Sequence, residues 1–306
     1  DCTLMKNTEL KGIITPILTP MREDESINTD EFCRQIDRLI EGGVHGIFPF
    51  GTNGEGYILD ENEKIEILEA AVSHVKGRVP IYAGSGCIST RDTIRMSRKA
   101  QELGADVLSI ITPSFAVASQ KELYDHYVEV AKHVDIPIVL YNIPARTGNR
   151  LLPETVGRLA KDVDVIIGVK DSSGDWENLK AYIHLADELD KPFYVLSGND
   201  SLILSCLKEG GCGGIAGCSN VYPGVLSSIY NLFMEGRLEE AQGAQESIAS
   251  FRAVFQYGNP NTVVKKAVAM LGYPVGECRR PFSYLCDEGM EELRKVLREN
   301  AEKGMK

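Results

Sequence analysis

The sequence lacks the features that mark membrane, nucleic-acid or nucleotide-binding proteins. No apolar run reaches the roughly 18 residues of a membrane span, and no signal peptide opens the chain. A net charge of −11 over 306 residues, with no basic cluster, argues against a nucleic-acid partner. The first apolar run leads into Thr19-Pro20-Met21 rather than a Gly-x-Gly-x-x-Gly turn, and no Gly-Lys-Ser/Thr motif follows a glycine-rich segment. These absences argue against those classes of protein and say nothing sharper about partners.

Paired metal-ligand motifs are also missing. None of the eight cysteines forms a Cys-x-x-Cys pair, although the even spacing of Cys206, Cys212 and Cys218 leaves a metal site open as the less favoured alternative. The five histidines do not cluster at the ends of predicted strands. We expect free thiols, a cytoplasmic location, and no metal or other cofactor.

What is present is an alternation of short apolar runs with amphipathic stretches of helical period. Such alternation predicts a parallel sheet, and eight units can close it into a (β/α)8 TIM barrel. An open doubly wound sheet is the competing architecture. The predicted strands cover residues 12–18, 46–50, 80–84, 107–111, 137–141, 165–171, 193–197 and 213–217.

The pattern changes after Asn220, where the strand signals stop. Four helices are predicted downstream, at 226–234, 238–257, 263–271 and 289–302. We therefore divide the chain into a barrel that carries the active site, residues 1–222, and a C-terminal helical region, residues 223–306, packed on the barrel or on another subunit.

The predicted strand at 165–171 is almost wholly apolar and carries Lys170 at its carboxyl end, where barrel enzymes place their chemistry. Burying an ammonium costs several kcal/mol unless it is paired or loses its proton. A neutral amine is a nucleophile that forms a Schiff base with a carbonyl carbon. The alternative is a lysine that reaches out to water and pairs with Asp171.

The other strand ends supply complementary groups. The glycine-rich turn from Gly51, through Thr52 and Asn53, can present backbone N–H groups and a hydroxyl to an anion, or can simply be a tight turn. Tyr141 ends the strand beside that of Lys170 and can relay protons. Arg146, in a loop bracketed by proline and glycine, can clamp a carboxylate or can be an ordinary surface residue.

The last two strand ends give weaker signals. Gly198 and Ile215 can offer backbone groups to a substrate. Asp200 can accept a hydrogen bond from a polyol, or can cap the helix that begins at Ser201.

Three segments together resemble the signatures of the dihydrodipicolinate synthase / N-acetylneuraminate lyase family. They are Gly-Thr-Asn-Gly-Glu at 51–55, Tyr-Asn-Ile-Pro-Ala-Arg-Thr-Gly at 141–148 and Gly-Val-Lys-Asp at 168–171. The resemblance extends over essentially the whole chain. It implies a (β/α)8 barrel with C-terminal helices, assembled as a homotetramer that is a dimer of dimers.

The resemblance also implies roles for individual residues. Lys170 would form a Schiff base with pyruvate or a pyruvate-derived substrate, and Tyr141 would relay protons. Thr52 and Asn53 would bind the pyruvate carboxylate through their backbone amides. Arg146 would hold the carboxylate of the second substrate, an aldehyde, as in the synthase branch.

Departures from the synthase pattern bear on the substrate. Asn53 replaces a second threonine, and Ser114-Phe115 stands where the family usually has a tyrosine that reaches the neighbouring subunit's site. Ile88 and Ser114 also differ from the residues typical of the lysine-feedback site. Asn53 and Phe115 favour a second interpretation, cleavage or dehydration of a 2-keto-3-deoxy sugar acid.

The lyase branch fits less well. Ser201 stands where that branch has a glutamate and Arg146 is unusual for it, although Asp200 is retained. We expect a Schiff-base-forming, pyruvate-dependent lyase or synthase, most like dihydrodipicolinate synthase. A sugar-acid or N-acetylneuraminate lyase-like enzyme is the alternative, and a non-catalytic barrel that binds 2-oxoacids is a remote one.

Overall fold

The computed structural model describes residues 9–306, so Cys2 and the rest of the first eight residues lie outside it. Within this range, none of the helices is long and apolar enough to cross a membrane. The same range contains eight strands, β1 to β8 in chain order: Gly12–Thr15, Gly46–Ile47, Tyr82–Ala83, Val107–Ile111, Ile138–Asn142, Ile166–Asp171, Tyr194–Ser197 and Gly213–Ile215.

The strands form one sheet in the order β2-β1-β8-β7-β6-β5-β4-β3, and at least one helix follows each strand. This is the topology of a (β/α)8 barrel, and the predicted fold class is confirmed. All eight predicted strands are present. Several are shorter than predicted because a proline adjoins them: Pro49 has no N–H to donate to a ladder, and β3 begins two residues after Pro80.

The helices are numbered α1 to α13 in chain order. They are Thr29–Glu41, Glu61–Val75, Thr90–Leu103, Gln120–Ala131, Pro144–Thr147, Pro153–Asp162, Trp176–His184, Ile203–Glu209, Pro223–Met234, Leu238–Ser247, Ala249–Arg252, Pro260–Met270 and Asp287–Glu302. Four 3-10 segments accompany them, Leu185–Glu188, Asp200–Leu202, Gly217–Asn220 and Ala253–Tyr257. Beyond β8, the described chain has no further strand, as predicted.

Local signals explain where the helices begin and end. Asp60 caps α2 in a reciprocal capping box with Glu63, and Asn28 caps α1. Gly104 ends α3 in the left-handed conformation at φ +107°, which glycine adopts without a steric penalty. The predicted helix at 238–257 is divided into α10, α11 and a 3-10 turn.

The contacts divide the chain into two compact units. The first is Pro80–Ile215 with residues 9–11, and it contains β3 to β8. The second joins Gly12–Val79 to Ala216–Lys306, so the C-terminal helices belong with β1 and β2.

In the first unit, a register shift on β5 and β6 determines which side chains face each other. Ile138 pairs with Ile166, but Val139 pairs with Gly168, so one residue of β6 is left over between them. Without this bulge, Tyr141 would lie opposite Val169; with it, Tyr141 lies opposite Lys170.

In the second unit, Arg279 fastens the C-terminal segment to the N-terminal part. Its guanidinium donates to both carboxylate oxygens of Glu63, at 2.9 and 2.7 Å, and to the carbonyls of Ile58 and Glu25. The hydrogen bond from Arg279 holds the pKa of Glu63 below its usual value. A largely buried guanidinium with four acceptors makes a strong link between segments distant in sequence.

Candidate active site

Lys170 is buried, with only 4% of its surface exposed. It pairs with Tyr141 on β5 and with Leu196 on β7, so neighbouring strands flank it on both sides. Its Nζ lies 4.0 Å from the centre of the Tyr141 ring. The alternative in which the lysine reaches out to bulk water is therefore wrong.

The face of Tyr141 suits the chemistry of a Schiff base. A cation within about 6 Å of an aromatic ring centre is attracted by the negative face of the ring. A protonated imine on Nζ would carry its positive charge beside the same ring. Tyr141 itself is 4% exposed, which excludes water from that face.

Asp171, the next residue on β6, serves a structural purpose. Its carboxylate accepts from Asn142 Nδ2 at 2.9 Å and from Ser173 Oγ at 2.8 Å. Successive strand residues point to opposite faces, so this network lies behind the strand from Lys170. Asn142 also accepts from the backbone N–H of Leu151, which ties the loop after β5 to the strand ends.

Gly198 lies directly against the lysine side chain. A Cβ at this position would overlap the Ser172 hydroxyl and would come within 2.9 Å of Lys170 Cε. The Gly198 N–H donates to the Asp171 carbonyl at 2.7 Å, which continues the β6–β7 ladder past Ser197. Only glycine allows this close approach.

The remaining predicted residues of the first unit have different surroundings. Ile215 is buried at the end of β8, and Asp200 is 6% exposed at the start of a 3-10 segment. Asn199, not Asp200, caps that segment through its side chain. Arg146 is exposed on α5, a single turn that begins at Pro144.

The glycine-rich turn after β2 belongs to the second unit. Its N–H groups at Glu55 and Gly56 donate to the carbonyls of Thr52 and Gly51, at 3.1 and 3.0 Å. Thr52 and Asn53 are partly exposed, whereas Gly51 and Glu55 are buried. The Thr52–Asn53 edge is therefore more exposed than the Gly51 and Glu55 positions of the same turn.

The C-terminal region supports this turn through residues that the sequence did not single out. Asn261 Nδ2 donates to the Thr52 carbonyl at 2.8 Å, and Lys265 Nζ pairs with Glu55 Oε2 at 2.8 Å. Both members of the ion pair are buried. The sequence offered no signal for these contacts, because they join residues more than two hundred positions apart.

The seven cysteines in the described part of the chain form no disulfide bonds. Burial and the neighbouring Glu55 carboxylate raise the pKa of the Cys278 thiol to about 12. Burial raises the pKa of Cys206 to about 12 as well. Both thiols are protonated at neutral pH and are poor nucleophiles. From residue 9 onward, no group of three His, Cys, Asp or Glu side chains is placed to hold a metal ion.

Similarity to known proteins is extensive. The model of the dihydrodipicolinate synthetase family matches residues 9–300. The 4-hydroxy-tetrahydrodipicolinate synthase of Methanoculleus marisnigri is 39% identical over 290 residues, covering 94% of this chain and 98% of that protein. The enzyme of the same name from Nitratidesulfovibrio vulgaris (strain Miyazaki F) is 37% identical with the same coverage.

Solved structures give the same result. YagE, a prophage protein of the dihydrodipicolinic acid synthase family from E. coli K12 solved with pyruvate, is 32% identical and has a TM-score of 0.91. The dihydrodipicolinate synthase of Thermotoga maritima is 29% identical with a TM-score of 0.92. Each comparison covers 95% of this chain and 99% of the other. The resemblance predicted from three short motifs is confirmed, and the chain belongs to the dihydrodipicolinate synthetase family.

Proposed function

We propose that this protein is a pyruvate-dependent lyase or synthase of the dihydrodipicolinate synthase type, in which Lys170 forms a Schiff base with the keto carbon of pyruvate. The observation that carries the proposal is the buried Lys170 amine against the Tyr141 ring. Family membership supports the same reaction class.

The proposed chemistry proceeds in four steps. The Nζ lone pair of Lys170 attacks C2 of pyruvate, and loss of water from the carbinolamine gives the imine. Loss of a proton from the pyruvate methyl group gives an enamine. The enamine carbon attacks an aldehyde carbon, so that a carbon–carbon bond forms and the aldehyde oxygen takes up a proton. Hydrolysis or attack by an amine of the product then releases the lysine.

Tyr141 is the proposed proton relay, since its ring lies against the reacting nitrogen. We assign Thr52 to the same machinery through its hydroxyl. The backbone amides of Thr52 and Asn53, in the turn that starts at Gly51, are proposed to bind the pyruvate carboxylate. Gly198, at the end of β7, packs against the Lys170 side chain, which supports placing the chemistry at the carboxyl ends of the strands.

For the second substrate we propose an aldehyde that bears a carboxylate, such as aspartate semialdehyde. The exposed Arg146 on its one-turn helix supports this, because a guanidinium binds a carboxylate through two parallel hydrogen bonds. The curated relatives are named 4-hydroxy-tetrahydrodipicolinate synthases. Gly198, Asp200 and Ile215 are proposed substrate contacts at the ends of β7 and β8.

One observation favours a second candidate, a 2-keto-3-deoxy sugar acid aldolase or dehydratase. Phe115 is 96% exposed at φ +77° and has no hydroxyl to add to a proton relay. Purified protein should be assayed with pyruvate plus aspartate semialdehyde and, in parallel, with 2-keto-3-deoxygluconate. Turnover of the sugar acid alone would select the second candidate.

Borohydride trapping tests the Schiff base itself. Wild-type protein reduced in the presence of pyruvate should give a covalent adduct that peptide mass spectrometry places on Lys170. Lys170→Ala should keep the fold and give no adduct and no turnover. A wild-type protein without an adduct would be a binding barrel rather than this enzyme, and full activity in Lys170→Ala would end the mechanism.

Assembly as a homotetramer, a dimer of dimers, is also proposed from the family. A related structure, 29% identical, is described as a monomeric dihydrodipicolinate synthase variant. Size-exclusion chromatography with light-scattering detection would measure the mass of the assembly directly. A monomer or dimer would contradict the proposal. Cytoplasmic location stays a prediction from the cysteine pattern.

A further inference from the structure

We propose that Asn261 is a positioning residue for the turn at 51–55, and that α12 holds this turn in the conformation that binds a carboxylate. The inference rests on the proposed function, in which the backbone amides of Thr52 and Asn53 take the pyruvate carboxylate. All the contacts that carry it lie within the unit formed by Gly12–Val79 and Ala216–Lys306.

Asn261 makes two reciprocal hydrogen bonds with the turn. Its Nδ2 donates to the carbonyl of Thr52 at 2.8 Å, and its Oδ1 accepts from Asn53 Nδ2 at 3.1 Å. Asn261 is 3% exposed, so water competes little for either bond. Both polar ends of the side chain are therefore committed to the turn.

The bond to the Thr52 carbonyl fixes the amide that the substrate would use. The Thr52 carbonyl and the Asn53 N–H belong to one planar, trans peptide unit, in which they point in opposite directions. The hydrogen bond from Asn261 to the Thr52 carbonyl therefore orients the Asn53 N–H away from Asn261. The N–H of Glu55 donates to the same carbonyl at 3.1 Å and reinforces this orientation.

Lys265 provides a second anchor one helical turn along α12. Residues four positions apart share a face of a helix, so Asn261 and Lys265 both face the turn. Lys265 Nζ binds Glu55 Oε2 at 2.8 Å, and the Arg279 N–H donates to Glu55 Oε1 at 2.7 Å. Glu55 has φ +60°, an unfavourable conformation for a non-glycine residue, and these bonds hold it there.

The same geometry explains why position 53 has asparagine where the synthase pattern has a second threonine. The Asn53 amide reaches Asn261, and a Cβ on Gly217 would come within 2.9 Å of Asn53 Oδ1. The side chain is thus packed between α12 and the segment after β8. A threonine in its place would offer only a hydroxyl, which lies one bond closer to the backbone than the Asn53 amide nitrogen. The side chains of Asn53 and Asn261 bond to each other, and the substrate carboxylate is bound by the backbone amides of the turn.

The test compares two ketones as probes of Schiff-base formation. Borohydride trapping is followed by mass spectrometry over a range of pyruvate concentrations, and over a range of acetone, which has no carboxylate. Asn261→Leu removes both bonds at similar volume, and Asn261→Ala removes them by truncation. Losing two hydrogen bonds should raise the half-saturating pyruvate concentration about 10-fold and leave that for acetone unchanged.

Asn259→Ala is the matched control, because the Asn259 side chain caps the same helix by accepting from the Asn261 N–H rather than bonding to the turn. It should lower the melting temperature without changing the pyruvate dependence. Asn53→Ala, at a partly exposed position, removes the reciprocal bond without altering α12. It should raise the half-saturating pyruvate concentration about 3-fold, even if the Asn261 variants fail to fold.

The outcomes separate the two proposals. No adduct in wild-type protein would overturn the proposed function. An adduct in wild type, with an unchanged pyruvate dependence in the folded Asn261 variants or in Asn53→Ala, would overturn the positioning role alone. An equal rise for pyruvate and acetone would mean general damage to the barrel and would also overturn it.

Discussion

At the scale of single residues, the proposed nucleophile Lys170 is packed against other protein atoms rather than exposed to water. Lys170 has the ring of Tyr141 at 4.0 Å and the backbone of Gly198 against its side chain. These contacts restrict its rotamers before any substrate arrives. Since catalysis depends on holding a nucleophile close to its attack geometry, the neighbours of Lys170 matter as much as its own amine.

Removing the Tyr141 hydroxyl should slow the reaction without disturbing the site. Tyr141→Phe keeps the ring against Lys170 and removes the hydroxyl to which we assign the proton relay. Turnover is expected to fall by about 10²- to 10⁴-fold, the usual value of a positioned proton shuttle. Tyr127→Phe is the control, because the buried Tyr127 hydroxyl donates to the Ile110 carbonyl away from the chemistry. Equal rates for Tyr141→Phe and wild type would remove the assigned role.

Adding one methyl group at Gly198 should displace the nucleophile. The new Cβ would overlap Ser172 and would come within 2.9 Å of Lys170 Cε. A misplacement of about 1 Å can cost about 100-fold in rate, so kcat/KM should fall by about that factor in Gly198→Ala. Gly198→Ala with Ser172→Gly relieves the clash with serine alone and should stay slow.

Gly243→Ala is the matched control for that substitution. Gly243 lies inside α10, and apart from its chain neighbours and the nearby backbone of that helix, no described atom would come within 4 Å of a Cβ there. Alanine there should leave kcat/KM unchanged and stabilise the helix by up to about 1 kcal/mol. Wild-type kinetics in Gly198→Ala would show that the lysine tolerates the contact.

At the scale of elements, the sequence predicted the strands well and their register not at all. Periodicity and β-branched content identify β4 to its exact ends and place β6 within a residue. The bulge between Ile166 and Gly168 leaves no such signal, because every residue of that run is small or apolar. Yet this bulge puts Lys170, rather than Val169, opposite Tyr141. The predicted pairing of amine and phenol is present for a reason that only coordinates reveal.

The packing of α3 against α4 should make stability depend on pH. His126 on α4 is 6% exposed; its ring meets Thr90 Oγ1 at 2.8 Å, and its buried Nε2 has no hydrogen-bond partner among the described residues. Burial lowers the pKa of His126 below its ordinary 6.5. Below about pH 6.5 the unfolded chain therefore binds a proton that the folded protein resists. Stability from this residue is full above that pH and declines as the pH falls toward the folded pKa.

Urea unfolding at pH 7.5 and 5.5 measures this effect. Wild type should lose more stability between the two than His126→Asn, with a difference of at most about 1.4 kcal/mol per pH unit. His133→Asn, at an exposed position, should behave as wild type. Identical pH dependence in wild type and His126→Asn would show that His126 is not responsible.

At the scale of the whole molecule, chain order and packing divide the protein differently. The sequence suggests a boundary near residue 222, because strand signals stop there, and that division stays a prediction. In the folded protein, Ala216–Lys306 packs with Gly12–Val79. Contacts such as Asn261 with Thr52 could not be predicted, since no local pattern records which distant residue a buried polar group meets. The sequence identified Thr52 and Asn53 themselves because their turn has a local signature.

The buried ion pair between Glu55 and Lys265 tests how strongly the two ends of the chain depend on each other. The pair joins residues 210 positions apart, and both side chains are essentially inaccessible to water. Lys265→Met alone leaves the Glu55 carboxylate buried without its ion-pair partner, which should cost about 3–5 kcal/mol in the free energy of unfolding. Glu55→Gln with Lys265→Met removes both charges, and the amide oxygen of the introduced glutamine keeps an acceptor for the Arg279 N–H. The double variant should therefore recover most of the loss, since a buried pair contributes little net stability over neutral groups of similar size.

Urea midpoints of wild type, both single variants and the double variant complete the cycle. A Lys265→Met protein within about 1 kcal/mol of wild type would mean that water reaches Glu55 and that the ion pair contributes little to holding α12 against the turn.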